Sequence, residues 1–333
     1  MLGNAVVGAL ATAGCAGAWR LRRSRVWRER LVAIAHRAPV ASLVVALYVG
    51  VALLDSVAWT DPAAPGTLAA PRSAIDRFFP ADFGERSYSA PFAAVEFYGD
   101  APLAHPGRHW LGTDILGRDV LQLALRGARV ALLVGGLTSL LAIPLALLLG
   151  VAAGYWGKRI DDAVFFVLST LASIPSLLLL VALVLVLGRG TLQVCIALAV
   201  TSWVGFCRVV RGETLKLREL DYVAAARALG VSDARILWRH VLPNLSHLVV
   251  ITFVLTFSQL VLSEAILSWL GVGVDGSWGQ MIDQARDELA RDPVIGWNLG
   301  AASAALFGLI LAVNRLGDAV RDVFDPRTLR ERA

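Results

Sequence analysis

The sequence predicts an all-α protein embedded in a membrane, and three observations carry that prediction. Of 333 residues, 57% are hydrophobic and 17% charged, whereas soluble domains run about 45–50% apolar and about 25% charged. The mean hydropathy is +0.65. Two stretches, Val130–Trp156 and Ala163–Gly188, run for 27 and 26 residues without a charge, and about 20 apolar residues cross a bilayer. Finally, Lys and Arg are unevenly shared between alternate connections, 21 on one side and 9 on the other. The same composition excludes a disordered or collagen-like chain. Cys15, Cys195 and Cys207 all lie in apolar stretches and form no even disulfide framework.

In chain order, Gly3–Trp19 is weakly hydrophobic and precedes its arginines, so it does not read as a signal peptide. It is a seventh span, an interfacial segment or a loose terminus. With the basic stretch Arg20–Arg37 it makes up a first region, 1–37. The Arg20–Arg30 cluster reads as a topology anchor beside anionic lipid, and nothing in it points to nucleic acid. Ala38–Leu54 is the first main span, within 38–60. An outer loop, 61–128, follows, opening with Pro, Gly and Ala and then becoming richer in aromatics. Residues 129–327 hold five more spans: Val130–Trp156, Ala163–Gly188, Thr191–Cys207, Leu248–Ser263 continuing to Gly271, and Pro293–Asn314. Pro144 and Pro175 inside two of these suggest kinks. Residues 328–333 form a tail.

Orientation follows from the cation count. Residues 20–37, 154–162, 208–247 and 315–333 carry 21 Lys and Arg, and belong inside. Residues 61–128, Arg189 and 272–296 carry 9, and belong outside. Both termini then face the cytoplasm if Gly3–Trp19 does not span.

Arg211–His247, 37 residues on the inner side, reads as two short helices. Asp221 begins the first and Gly230 ends it as a C′ residue; Ser232 caps the second and Pro243 closes it. Ala224, Ala225 and Ala226 make a small-residue face that lets another backbone or groove approach closely. Plain solvated packing between helices accounts for such a loop equally well. On the outer side, Trp278–Ala290 is amphipathic.

Enzyme motifs fail on their context. Gly271–Gly276 matches G-x-G-x-x-G, but it follows a span rather than a strand. Gly157-Lys158 resembles the end of a phosphate loop, yet Ala152 and Arg159 occupy the positions of the first Gly and of the Ser or Thr. His105 and His109 are separated by Pro106 and Gly107, so they read as polar loop residues before a metal pair. No catalytic residue and no metal site is expected. Glu264 stands after 16 charge-free residues, where a carboxylate at a bilayer centre costs about 2.5–3.5 kcal/mol. It serves either a functional pathway or a structural hydrogen bond.

Tyr222-Val-Ala-Ala-Ala-Arg-Ala-Leu-Gly230, followed by His240-Val-Leu-Pro-Asn244, resembles the cytoplasmic "EAA" loop of ABC importer permeases. In that pattern E-A-A is followed by three residues, G, nine residues and I-x-L-P. Ala225, Ala226, Gly230, Leu242 and Pro243 match; Ala224 replaces the glutamate and His240 the isoleucine. Leu111, Gly112, Thr113, Asp114, Gly117, Arg118 and Asp119 reproduce the LGTD-x-x-GRDV stretch of the dipeptide/oligopeptide branch, C-type subunit. Glu264–Gly271, Ser277–Met281 and Leu316–Arg327 resemble further segments of that branch, in order. The outer loop 61–106 is longer than usual.

The resemblance implies a six-helix type I importer transmembrane domain, with Gly3–Trp19 as a candidate extra helix, in a bacterial inner membrane. It implies a homologous permease partner forming a heterodimer, two cytoplasmic ATPase subunits and an extracytoplasmic solute-binding protein. Ala224–Pro243 would be the coupling element, with Arg227 or Asp221 standing in for the missing glutamate. This chain would bind no cofactor; ATP and Mg would belong to the ATPases. Peptides or peptide-like solutes would be the cargo. An ion-coupled secondary transporter using Glu264, or a non-transporting membrane scaffold, are the competing classes.

Overall fold

The computed structural model describes residues 25–59, 72–79 and 84–324. Gly3–Trp19, much of 61–83 and Asp325–Arg327 of the last motif lie outside these. The chain divides into two compact units, residues 1–133 with 264–319 and residues 134–263 with 320–333.

Helix α1 (Arg25–Arg37) leads into α2 (Pro39–Ser56), where Pro39 occupies the first turn and loses no intrahelical bond. A two-stranded antiparallel pair, β1 (Ala58–Trp59) and β2 (Arg72–Ser73), follows. Helix α3 (Val120–Trp156) is a single 37-residue helix that passes through Pro144. It starts ten residues before the charge-free run, which corrects the expected loop end at 128. Arg126 and Arg129 are the reason. Arg126 pairs with Asp76, and Arg129 lies 3.0 Å from the buried Asp55, so charged residues become part of the helix through partners distant in sequence.

Beyond α3, α4 (Lys158–Ser173) and α5 (Ser176–Leu187) stand where one kinked span was expected. They are bent by 93°. A residue before proline is pushed out of the helical region, and Ile174, at φ −91° and ψ 132°, is extended ahead of Pro175. The remaining helices are α6 (Thr191–Arg218), α7 (Asp221–Ala228), α8 (Asp233–Ile236), α9 (Leu242–Trp269), α10 (Trp278–Leu289) and α11 (Trp297–Phe324). Among the described residues, five unbroken helical stretches are long and apolar enough to cross a membrane, or six with the bent pair counted as one.

Within the second unit, α3 and α6 approach unusually closely. A Cβ on Gly150 would lie 2.8 Å from the Cys207 carbonyl oxygen, and one on Gly154 would lie 2.7 Å from that of Arg211. Small residues four apart allow such backbone contact in membranes. Around it Ala146, Leu168, Trp203, Phe206, Val210, Val223, Ile236, Val241 and Leu245 form one buried cluster. The core therefore extends directly beneath α7 and α8.

Candidate functional site: the 219–245 segment and the 110–119 motif

The 219–245 segment is a helical hairpin fixed by its backbone. Helix α7 ends at Ala228, and Gly230 follows in the left-handed region at φ +76°. The Gly230 amide donates to the Arg227 carbonyl and the Val231 amide to that of Ala226, at 3.0 and 3.1 Å. These two bonds make a Schellman cap, the C′ role expected of Gly230. Ser232 stands before α8 at φ −61° and ψ 144°, but its side chain makes no cap hydrogen bond.

Pro243 does not close a helix, which corrects that expectation. The chain passes from α8 through a π turn, Leu237–Val241, straight into α9. Proline lacks an amide hydrogen and its ring crowds the carbonyl four residues back. The wider π turn immediately upstream relieves both demands. The Leu242 amide reaches Leu237, and the Asn244 side chain donates to the His240 carbonyl at 2.6 Å. Asn244 also donates to the Tyr222 hydroxyl at 3.2 Å, and the His240 ring lies 5.8 Å from that of Tyr222. Tyr222 and His240, 18 positions apart, are thus brought together across the hairpin.

The small-residue face needs a second correction. Ala226 is buried with Val223 in the chain's own core, while Ala224 and Ala225 are exposed. The exposed surface instead gains two large side chains that sequence reasoning missed, Leu229 at 83% and Trp238 at 75% exposure. Leu229 sits beside the glycine turn and Trp238 in the π turn; no sequence pattern distinguishes an outward Trp from a buried one. Leu242 is half-buried and Pro243 exposed.

Residues 110–119 are used differently. The Thr113 hydroxyl donates to the Ser87 carbonyl at 2.9 Å and accepts from the Ser89 amide at 2.6 Å. The Asp114 carboxylate accepts from the Leu116 and Arg118 amides and from the Arg118 guanidinium, between 2.8 and 3.0 Å, closing a turn through Gly117. Gly112, at φ +74°, leaves no space for a side chain beside the Trp297 indole, whose nitrogen donates 2.9 Å to the Thr113 carbonyl. Asp119 caps α3 by accepting from the Gln122 amide at 3.1 Å. Leu111 is half-buried at the start of this turn.

Asp119 also holds His109. The buried imidazole lies 2.9 Å from Asp119 through Nδ1 and 3.2 Å from Glu85 through Nε2. Burial pushes the His109 pKa down, but the two carboxylates outweigh it and hold it above the usual value. Burial pushes Glu85 up, yet the amides of Ala104 and His105 together with His109 hold its carboxyl below the usual range. His105 lies 3.8 Å from the same carboxylate. No group of three or more metal-ligating residues arranged to hold an ion occurs among the described residues.

Glu264 is enclosed by its own chain at 2% exposure. The Ser268 hydroxyl donates to its Oε1 at 2.5 Å, and Ser268 in turn accepts from Ser277 and from the Val274 amide at 2.9 and 3.0 Å. The carboxylate thereby closes the turn between α9 and α10.

Residues 146–330 match the family model described as the inner membrane component of binding-protein-dependent transport systems. The chain belongs to that family. The glutathione transport system permease protein GsiD of Pectobacterium atrosepticum is 35% identical over 246 residues, 72% of this chain and 80% of that one. The oligopeptide transport system permease protein OppC of Bacillus subtilis is 33% identical over 222 residues, 66% of this chain and 72% of that protein. A chain of the inward-facing MetNI methionine ABC transporter is 22% identical with a TM-score of 0.50, covering 61% of this chain and 97% of its own. The permease is therefore a multi-pass transport subunit with the type I importer fold. Its family works with a binding protein, an ATPase and a partner permease.

Proposed function

We propose that this permease carries peptides or peptide-like solutes and that its 211–247 segment couples it to cytoplasmic ATPases. The cargo class rests on the relatives: proteins named for glutathione, oligopeptide, dipeptide and di/tripeptide transport match over most of the chain. The coupling role rests on one observation. The α7–α8 hairpin buries Val223, Ala226 and Ile236 against its own core while Ala224, Ala225, Leu229 and Trp238 face outward. A rigidly capped hairpin with two projecting apolar anchors beside small residues suits a partner's groove. Tryptophan anchors in particular carry a large share of the binding energy of interfaces.

In this reading residues 208–247 lie in the cytoplasm and 61–128 and 272–296 outside the inner membrane, the side each is given by the cation count. The permease pairs with a homologous subunit into a heterodimer above two ATPase subunits, and receives cargo from an extracytoplasmic solute-binding protein. Transport is a rigid-body rocking of helix bundles, powered by ATP and Mg bound in the partners; this subunit supplies no catalytic residue. Glu264, closed within its own serines, serves structure, which leaves ion coupling without its carboxylate.

Affinity purification of the tagged permease from its native membrane tests the assembly. A second permease and an ATPase are expected in the eluate, and uptake of a labelled di- or tripeptide should disappear on deletion. An eluate without any ATPase overturns the reading.

A further inference from the structure

The hairpin is joined to the core mainly by apolar burial, which is non-directional and fixes no single setting. Beside the exposed Asn244–Tyr222 contact, one buried side chain departs from this. Tyr155, in the last turn of α3, is 4% exposed, and its hydroxyl donates 2.6 Å to the carboxylate of Asp233, 78 positions away. Asp233 is the first residue of α8, where its charge also favours the helix N-terminus. The Arg227 guanidinium, in the last turn of α7, lies over the Tyr155 ring, 5.2 Å from its centroid. Arg218, at the end of α6, donates to the carbonyls of Gly154 and Tyr155 at 3.3 and 3.4 Å. One phenol thus touches both helices of the hairpin, on a backbone held by a third helix.

Asp221 takes no part: it is exposed at the start of α7. Where Ala224 leaves no polar group, the polar attachment of the hairpin comes from Arg227 and Asp233 converging on Tyr155. Hydrogen bonds to a charged group are shorter and roughly twice as strong as neutral ones, and this one joins a single hydroxyl to a single carboxylate, so the tie sets the register that apolar packing leaves free.

We propose that Tyr155 is the positioning residue of the coupling hairpin: through Asp233 and Arg227 it makes α7 and α8 move as one body with the end of α3. The inference rests on the coupling role given to residues 211–247. A push on the hairpin is then delivered to the 37-residue helix α3 without slippage.

The test uses the complete reconstituted transporter and measures ATP hydrolysed per solute carried. Tyr155→Phe, which removes only the hydroxyl, is expected to raise that ratio about ten- to a hundredfold, the range set by losing one hydrogen bond to a charged group. Asp233→Ala should reproduce the change. Asp233→Asn, which keeps an acceptor oxygen but loses the charge, should raise the ratio less than Tyr155→Phe does. A purely structural role would reduce the yield of assembled complex and leave the ratio per complex unaltered. An unaltered ratio in assembled Tyr155→Phe, or in Asp233→Ala if the first variant does not assemble, overturns the proposal. Cross-linking from Leu229→Cys separates the two levels. A conjugate with the ATPase and an unaltered ratio removes the positioning role alone, whereas no conjugate in either the parent or the Tyr155→Phe background removes the coupling role beneath it.

Discussion

In residues 84–119, Thr113, Asp114 and Asp119 are buried, and each answers to two or more groups of its own chain. In residues 219–245, Ala224, Ala225, Leu229 and Trp238 have exposed side chains, and Ala224, Ala225 and Leu229 enter the hydrogen bonds of the hairpin through their backbones alone. Both regions carry a recognisable motif. The first motif is a folding instruction, whose side chains close turns and cap α3. The second is a surface, whose small residues matter for what they leave uncovered. Substitutions in the two should therefore separate stability from transport.

The largest effect is expected at Gly112. Its φ is +74°, and a Cβ would meet the Trp297 indole nitrogen at 2.9 Å. Gly112→Val should cost about 3–5 kcal/mol, combining backbone strain with overpacking. Thermal unfolding in detergent measures this, and a yield and midpoint equal to the parent would erase the distinction between the regions. Gly230 shares the positive φ but faces open space. Gly230→Val should cost about 1–3 kcal/mol of strain, leaving a chain that inserts but transports poorly.

Ala225→Glu sharpens the contrast. At an exposed helix position its stability change should fall within about 0.5 kcal/mol, while docking weakens roughly tenfold or more, about 1.4 kcal/mol. Uptake in vesicles with matched expression reads the second quantity. Normal uptake would show that the outward alanines face no partner.

The His109 cluster gives residues 84–119 a pH signature. His109 is raised in the folded state, so its contribution is complete below the unfolded value of about 6.5 and fades as pH rises through the higher folded one. Glu85 is depressed, so its contribution is present above the ordinary glutamate value and is lost as pH falls through the folded one. Stability from this cluster should peak between about pH 4.3 and about 6.5. His109→Gln should flatten the alkaline side of a melting-temperature profile; an unchanged profile would remove the cluster from the account.

The smallest effect belongs to the conservative change at Glu264. Glu264→Gln keeps an acceptor for Ser268 and should cost less than about 1 kcal/mol, whereas Glu264→Leu strands that hydroxyl at about 1–3 kcal/mol. Equal melting points for both variants would contradict the closed turn.

Local pattern made some of this legible. Charge-free runs located α2, α3, α6, α9 and α11, amphipathicity located α10, and Gly230 announced its own cap. Non-local pairing escaped it: the first ten residues of α3 carry Arg126 and Arg129, whose partners Asp55 and Asp76 lie more than 40 positions away. Direction escaped it as well. Ala224, Ala225 and Ala226 are alike in sequence, and only the core beneath α7 decides that the third turns inward. The π turn also hid Pro243, because a proline that ends an ordinary helix is accommodated once the preceding turn is widened.

That turn has a consequence for phase. Ile236, Val241 and Leu245 are all fully buried in one cluster although spaced five and then four apart. A five-residue step overshoots an α-helical face by about 140°, since each residue advances about 100°. The π turn absorbs the surplus as one extra residue stored in the wall of the helix. Deleting any one position between Leu237 and Val241 would remove that extra residue, but it would also press the Pro243 ring against the carbonyl four residues back. The irregularity and the proline are therefore a matched pair, and the exposed Trp238 lies within the irregularity.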